Sequence, residues 1–120
     1  MTSSGSGRCV MECPVLPLHM SPAERVHGGV FFTILDTAMG RAVISKLPEG
    51  RGCATLEAKI NYFRPVQTGH LRAEANVLTM TRRTAFVEST LTDQQDRVVC
   101  RASATFMLTE TLTQTERERV

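Results

Sequence analysis

Apolar residues between positions 28 and 46 recur at the 3.6-residue spacing of a helix that buries one face. Pro48 and Gly50 follow this run, so the pattern predicts one long helix from Gly28 to Lys46. The apolar positions that define its buried face are Val30, Phe31, Ile34, Leu35, Ala38, Ala42 and Val43.

Beyond the helix the apolar period changes to two residues, which is the spacing of β-strands. Four strands are predicted here, at 54–62, 71–77, 84–92 and 98–108, and a short strand at 9–15 precedes the helix. The even-numbered residues of the first long strand are mostly apolar and are expected to face the helix. Because the connections between these strands are short, antiparallel pairing is favoured. The order predicts an α+β fold with one helix packed on an antiparallel sheet of about five strands.

The domain organisation is simple, because 120 residues fit one compact domain. We expect this domain at residues 9–110. Residues 1–8 are rich in Ser and Gly and are predicted to be disordered. Residues 111–120 are polar and charged, and are predicted to form a disordered or loosely helical tail.

Composition and charge argue against several classes of function. A net charge of +2, carried by scattered basic residues, disfavours binding to nucleic acid or to an anionic membrane. The N-terminus lacks the apolar core of a secretory signal, and no apolar run is long enough to span a bilayer. The four cysteines form no Cys-x-x-Cys pair and have no nearby histidine cluster. We therefore expect no metal site, and a cytoplasmic protein with reduced thiols.

Two glycines, Gly28 and Gly29, begin the predicted helix and let another group approach the backbone closely. The first N–H groups of a helix have no partner within it and lie at the positive end of its dipole. Such a helix start can hold an anion or a developing oxyanion. The alternative is that both glycines simply make a tight turn from loop to helix.

Asp36 lies in the middle of the helix, where Asp is a mediocre helix former. At 100° per residue its neighbours on that face are all small: Gly29, Thr33, Thr37 and Gly40. This face is either a groove or a close contact with another backbone, and it carries one carboxylate. The alternative is an exposed Asp on a polar face.

The segment His27-Gly28-Gly29, followed by Asp36 and then Ala38-Met39-Gly40, resembles the hotdog-fold acyl-CoA thioesterases. The resemblance is to the phenylacetate-pathway type, which is 4-hydroxybenzoyl-CoA thioesterase-like. It extends through residues 54–66, 82–88 and 98–102, and covers roughly residues 26–108. A hotdog fold, in which an antiparallel sheet wraps one central helix, is therefore expected.

The resemblance implies hydrolysis of an acyl-CoA thioester to free acid and CoA at a site between subunits. Asp36 is expected to act as the nucleophile or the general base at the thioester carbonyl. The N–H of Gly28 is expected to polarise the carbonyl oxygen, and His27 to line the site. Thr55 is expected to come from the partner subunit and to help place the water or the acid. Ser21 departs from the family, where many relatives carry Gln or Asn.

The remaining expectations concern binding. Gly29 and Thr33 are expected to contact the substrate, and Arg82 and Arg83 are candidates for the phosphates of CoA, since guanidinium groups suit phosphate oxygens. The alternative for the two arginines is a pair of solvated turn residues. CoA belongs to the substrate, so no separate cofactor is expected.

The partners expected are an acyl-CoA and further copies of the chain. A homodimer is implied by sites that form between protomers, and a homotetramer is expected because tetramers are common in the family. The alternative function is a non-catalytic acyl-CoA-binding hotdog module. A hotdog dehydratase would need a catalytic His paired with an acid in a motif that is absent here. The sequence does not name the acyl group.

Overall fold

The computed structural model describes residues 2–110, in which one helix packs on a six-stranded antiparallel sheet. The strand order across the sheet is β1-β2-β4-β5-β6-β3. This architecture confirms the predicted α+β arrangement, with one strand more than expected. The elements are β1 (Thr2–Gly5), β2 (Arg8–Pro14), a short 3-10 turn (Pro17–His19), α1 (Gly28–Ile44), β3 (Arg51–Tyr62), β4 (His70–Met80), β5 (Thr84–Thr92) and β6 (Val98–Glu110).

The extra strand lies in the segment predicted to be disordered. Thr2–Gly5 forms β1 and pairs antiparallel with β2. Ser6 and Gly7 join the two strands, with positive φ angles of 53° and 81°. Two-residue hairpin turns of the mirror-image type need positive φ at both positions, so the Ser/Gly composition marks a turn here rather than disorder. The tail predicted for residues 111–120 lies outside the described residues.

Helix α1 buries the apolar face that its periodicity predicts, and it ends two residues earlier than expected. Small alanines on β4, β5 and β6 let the helix approach the sheet closely, and together they form the core. The buried helix residues are Phe31, Ile34, Leu35, Ala38, Met39, Ala42 and Val43.

Strand β3 departs from simple alternation. Thr55 pairs with Phe106 and Glu57 with Thr105, so Leu56 is an extra residue, a β-bulge. After the bulge, Ala58 and the other even-numbered apolar residues lie on the helix side as predicted. Before it the alternation is inverted, so Thr55 lies on the helix side and Leu56 is 58% exposed. The prediction that Ala54 and Leu56 face the helix is therefore wrong.

Strand β3 is also an edge of the sheet, since it pairs only with β6. Twelve residues long, it carries exposed apolar side chains at Leu56 and Tyr62, and Phe63 follows directly. A long edge strand presents unpaired backbone groups and is a ready template for pairing with another chain. Within residues 2–110, no helix has the length and apolarity needed to cross a membrane.

Candidate active site

The half-buried carboxylate of Asp36 is held by a side chain of the neighbouring strand. Thr55 Oγ1 donates a hydrogen bond to Asp36 Oδ1 over 2.8 Å, because the bulge in β3 turns Thr55 toward the helix. Both residues belong to the same chain. Thr55 was expected to reach Asp36 from the partner subunit, and the contact within one protomer corrects that expectation. The hydrogen bond also argues against an unattached surface Asp.

The helix face around Asp36 is lined by small residues, as the sequence indicates. Thr33 Oγ1 donates to the carbonyl of Gly29 over 2.9 Å, so its hydroxyl is fixed against the helix. A methyl group added at Gly29 would meet nothing within 4 Å, whereas one at Gly40 would lie 3.6 Å from the Phe106 ring. This face is therefore uncovered at Gly29, whereas at Gly40 it packs against the Phe106 ring.

The start of α1 presents backbone donors. His27 is the N-cap residue, and its side chain makes no capping hydrogen bond. The N–H of Val30 is already used, since it donates to the His27 carbonyl over 3.0 Å. Within residues 2–110, the N–H groups of Gly28 and Gly29 have no acceptor. These two donors lie at the positive end of the helix dipole, as expected for an oxyanion-binding position.

Tyr62, at the end of β3, contacts the start of the helix directly. Its hydroxyl donates to the carbonyl of Gly28 over 2.9 Å, and its ring centroid lies 6.3 Å from that of Phe31. A methyl group added at Gly28 would lie 3.2 Å from the Tyr62 ring. Sequence reasoning missed this residue, because it treated Tyr62 only as an apolar strand position. The available signal was its phenol group, since a packed Tyr hydroxyl usually finds a hydrogen-bond partner.

A shallow cleft of about 290 Å³ lies beside this helix start. Its walls include the aromatic side chains of Phe31, Tyr62 and Phe63. Arg25 and Arg64 also line it, and neither forms a salt bridge within the described part of the chain. The cleft combines an apolar wall with two free guanidinium groups, a mixture suited to an anionic ligand with an apolar portion.

Cys53 lies close to Asp36, with its Sγ 3.8 Å from the carbonyl oxygen of Gly40. Burial raises the pKa of the Cys53 thiol, and the nearby negative charge of Asp36 raises it further. A thiol with a raised pKa is a poor nucleophile at neutral pH, which disfavours Cys53 as the reacting group of this site. Among residues 2–110, no three His, Cys, Asp or Glu side chains are grouped to hold a metal ion.

Arg82 and Arg83 lie in the turn between β4 and β5, where the carbonyl of Arg83 accepts the N–H of Leu108. Thr55 pairs with Phe106, only two residues from Leu108, so this turn is at the Asp36 end of the sheet. Both arginines are exposed. Their position is compatible with contact to a ligand that reaches Asp36.

The helix start lies at the opposite end of the sheet from that turn. Tyr62 pairs with Cys100, which is eight residues from Leu108 along β6, or about 26 Å at the rise of a strand. Gly28 and Asp36 are likewise eight residues apart on α1, or about 12 Å along its axis. One chain therefore brings Thr55 to Asp36, and His27 to Gly28 and Gly29, but it does not bring these two groups together.

Ser21 has a local role. Its Oγ accepts the N–H of Ala23 over 3.2 Å, and its backbone bonds Glu24 and Arg25. The hydroxyl is thus engaged in the turn before the helix. This differs from the longer Gln or Asn of many relatives, whose side chains extend further from the backbone.

The combination of fold and site defines a class of protein. Residues 24–100 match the family model of the thioesterase superfamily. The chain therefore belongs to this superfamily of thioester hydrolases, and its fold is the hotdog fold that the resemblance implied.

Three similar solved structures come from Pseudomonas, Bacillus and Ralstonia species. PA5202 of Pseudomonas aeruginosa is 35% identical with a TM-score of 0.85, covering 88% of this chain and 84% of that one. BH2602 of Bacillus halodurans, solved with CoA, is 31% identical with a TM-score of 0.85, covering 93% and 75%. A phenylacetic acid degradation-related protein of Ralstonia eutropha JMP134 is 26% identical with a TM-score of 0.82, covering 89% and 83%.

Two curated relatives are named as candidate esterases. A candidate esterase of Halobacterium salinarum is 44% identical over 55 residues, which are 44% of this chain and 36% of that protein. ComA2 of Bacillus subtilis, another candidate esterase, is 27% identical over 94 residues, covering 78% of this chain and 75% of ComA2. The match thus spans little more than a third of the first relative.

Proposed function

We propose that this protein hydrolyses an acyl-CoA thioester to a free acid and CoA, with Asp36 as the catalytic carboxylate. The observation that carries the proposal is the hydrogen bond of 2.8 Å that holds Asp36 on a helix face of small residues. A fixed carboxylate and free backbone donors are the two kinds of group that acyl transfer to water needs. Similarity to a protein solved with CoA supports CoA as part of the substrate.

The reaction follows from these groups. Asp36 either takes a proton from water as the water oxygen adds to the thioester carbonyl, or attacks the carbonyl itself. The carbonyl oxygen gains negative charge, which the N–H groups of Gly28 and Gly29 stabilise. The C–S bond then breaks, and the CoA sulfur leaves and takes up a proton. In the attack route, water afterwards hydrolyses the acyl-aspartate. Neither route uses a metal or a cofactor.

The two halves of this machinery come from different protomers. A reacting carbonyl must lie about 3 Å from both the acid and the oxyanion donors. Gly28 and Asp36 of one chain are about 12 Å apart along the helix axis, which is too far. A second copy, related by two-fold symmetry, supplies the missing half to each site. Each site then contains Asp36 and Thr55 of one protomer and Gly28 and Gly29 of its partner.

The exposed edge of β3 suits this dimer. Thr55 lies in the first half of β3 and contacts Asp36, while Tyr62 at the far end contacts Gly28. Antiparallel pairing of two copies of β3 about a two-fold axis brings the far end of one near the first half of the other. The same symmetry brings the Gly28 region of the partner toward the Arg82–Arg83 turn, which supports those arginines as the contacts of the CoA phosphates.

Two expectations from the sequence remain predictions. Assembly of dimers into a homotetramer is one, and a cytoplasmic location is the other. The four cysteines are free thiols in the structure, which is compatible with a reducing compartment.

The function is tested by measuring thiol release from a panel of aryl- and aliphatic acyl-CoAs, without added metal. We expect turnover of at least one ester, and a fall in kcat of at least about 10²-fold in Asp36→Asn, the usual scale for losing a positioned acid or base. The matched control is Asp96→Asn at an exposed turn position with φ of 62°, where Asn is well tolerated. Tight ester binding by the wild type without turnover would instead establish the binding module.

A further inference from the structure

We infer that Tyr62 is a positioning residue for this reaction, because it fixes the direction of the backbone donors at the start of α1. The inference rests on the proposed function. Its basis is the hydrogen bond of 2.9 Å that the Tyr62 hydroxyl donates to the carbonyl of Gly28.

That hydrogen bond fixes more than one oxygen atom. The carbonyl of Gly28 and the N–H of Gly29 belong to one planar trans peptide group, in which they point in opposite directions. Holding the oxygen toward Tyr62 therefore aims the Gly29 N–H away from Tyr62. Two successive glycines have the freest backbone of any residue pair, so an external anchor has the most effect here.

The Tyr62 ring also makes the helix start one-sided. A methyl group at Gly28 would lie 3.2 to 3.3 Å from the ring atoms, whereas a methyl group at Gly29 would meet nothing within 4 Å. The Tyr62 ring therefore covers the Gly28 Cα, whereas the Gly29 Cα is open to an approaching substrate. The ring is itself held in place by its tilted contact with Phe31.

The Tyr62 hydroxyl remains a donor across the working range of an enzyme. Burial raises the pKa of Tyr62 above its ordinary value of 10.0, and the neighbouring Cys100 thiol adds to the effect. The phenol is therefore protonated near neutral pH and can donate to the carbonyl. Because its ring packs on Phe31 without the hydroxyl, Tyr62→Phe removes the donor and leaves the packing.

The first test is the kinetics of Tyr62→Phe. We expect kcat to fall about tenfold with KM unchanged. The reason is that losing an interaction made only in the transition state lowers kcat and kcat/KM equally. Loss of an oxyanion donor itself lowers kcat by about 10²- to 10³-fold. The fall in Tyr62→Phe should be about an order of magnitude smaller, because the donor remains and only its direction is less fixed. The matched control is Thr92→Val, which removes another hydroxyl that donates to a strand carbonyl, that of Arg72. Its kcat should stay at the wild-type value.

The second test does not depend on turnover. In the ¹H–¹⁵N NMR spectrum of Tyr62→Phe, the Gly29 amide resonance should move more than that of Gly40, which lies in the same helix but away from Tyr62. A wild-type kcat in Tyr62→Phe, alongside the loss in Asp36→Asn, overturns the role of Tyr62 and leaves the proposed function intact. Absence of turnover in the wild type overturns both.

Discussion

Thr55 and Asp36 are joined by a hydrogen bond of 2.8 Å within one chain, from the Thr55 hydroxyl to Asp36 Oδ1. The bond exists because the bulge at Leu56 inverts the alternation of β3 ahead of it. Thr55 thereby leaves the solvent side of the strand and meets the carboxylate on the helix. The contact fixes Oδ1 of Asp36, and within residues 2–110 the other carboxylate oxygen has no hydrogen-bond donor.

Thr55→Val tests that contact. It keeps the β-branched shape and removes the donor, so the carboxylate loses its fixed orientation. We expect kcat to fall about tenfold, which is at the low end of the loss expected when a general base is misplaced. Thr55→Ser, which keeps the hydroxyl, should retain most of the activity. The melting temperatures of both variants should stay near the wild-type value, and a loss of activity that follows the melting temperature instead would contradict this role.

Mixed dimers test the division of each site between protomers. One inactive parent is Asp36→Asn. The other is Gly28→Pro, which removes the N–H at the first helical position, where proline is favoured. Its control is Gly28→Ala, which also adds a Cβ atom but keeps the N–H. A mixed dimer has one site with both lesions and one with neither, so random mixing should restore about a quarter of wild-type activity.

The control for that experiment uses two lesions on the same half-site. Mixing Asp36→Asn with Thr55→Trp leaves one lesion in every site of a mixed dimer, because Thr55 serves the Asp36 of its own chain. No activity should return. Mass spectrometry confirms that mixed dimers form. Recovery with the Thr55 parent, or none with the Gly28 parent, would show that the site is divided differently.

The double variant Arg82→Ala and Arg83→Ala tests contact with the nucleotide. Loss of a charge-assisted contact to phosphate should raise KM about tenfold with kcat little changed. The reason is that the phosphate contact binds the ground state and the transition state equally. The effect should shrink with a pantetheine thioester that lacks the nucleotide. Arg101→Ala, an arginine paired with Glu88 on the sheet face away from the helix, is the control. Equal losses on both substrates would point to a structural role of the turn.

Asp93 in the β5–β6 turn predicts how stability depends on pH. Burial alone raises the pKa of Asp93, but hydrogen bonds from Arg97 and Gln95 outweigh it and lower the pKa below its ordinary value of 3.8. The ionised form is favoured in the folded protein, so its stabilisation is complete above pH 3.8 and is lost as pH falls through the lowered pKa.

Asp93→Ala measures that contribution. At pH 7 it should lower the free energy of unfolding by about 1–3 kcal/mol, because two backbone N–H groups lose their acceptor. The difference between variant and wild type should narrow below pH 3.8. Urea unfolding at a series of pH values gives both quantities, and a difference that stays constant below pH 3.8 would exclude the ionised carboxylate as its source. Thiol release should be unaffected, since the side-chain hydrogen bonds of Asp93 all go to residues of its own turn.

The sequence by itself determined the helix, the four long strands and the small-residue face that carries Asp36. These features follow from periodicity, because a buried stripe or strand face repeats at 3.6 or two residues whatever it packs against. The candidates Asp36 and Gly28 were also visible, since a carboxylate among small residues and a glycine pair at a helix start are local patterns. Strand β1 was missed because Ser6 and Gly7 are as typical of a flexible segment as of a hairpin turn.

Only the tertiary structure decided which side chains meet. The side of β3 that Thr55 occupies depends on its pairing with β6, because a bulge exists only relative to a partner strand. The bond between Tyr62 and Gly28 depends on where the end of β3 passes the helix, 34 residues away in sequence. The distance of about 12 Å between Gly28 and Asp36 follows from helix geometry. Only the packed structure shows that, within residues 2–110, Asp36 contacts Thr55 while Gly28 contacts Tyr62. Local pattern thus selected the groups that can react, whereas strand register and packing decided which of them one chain can bring together.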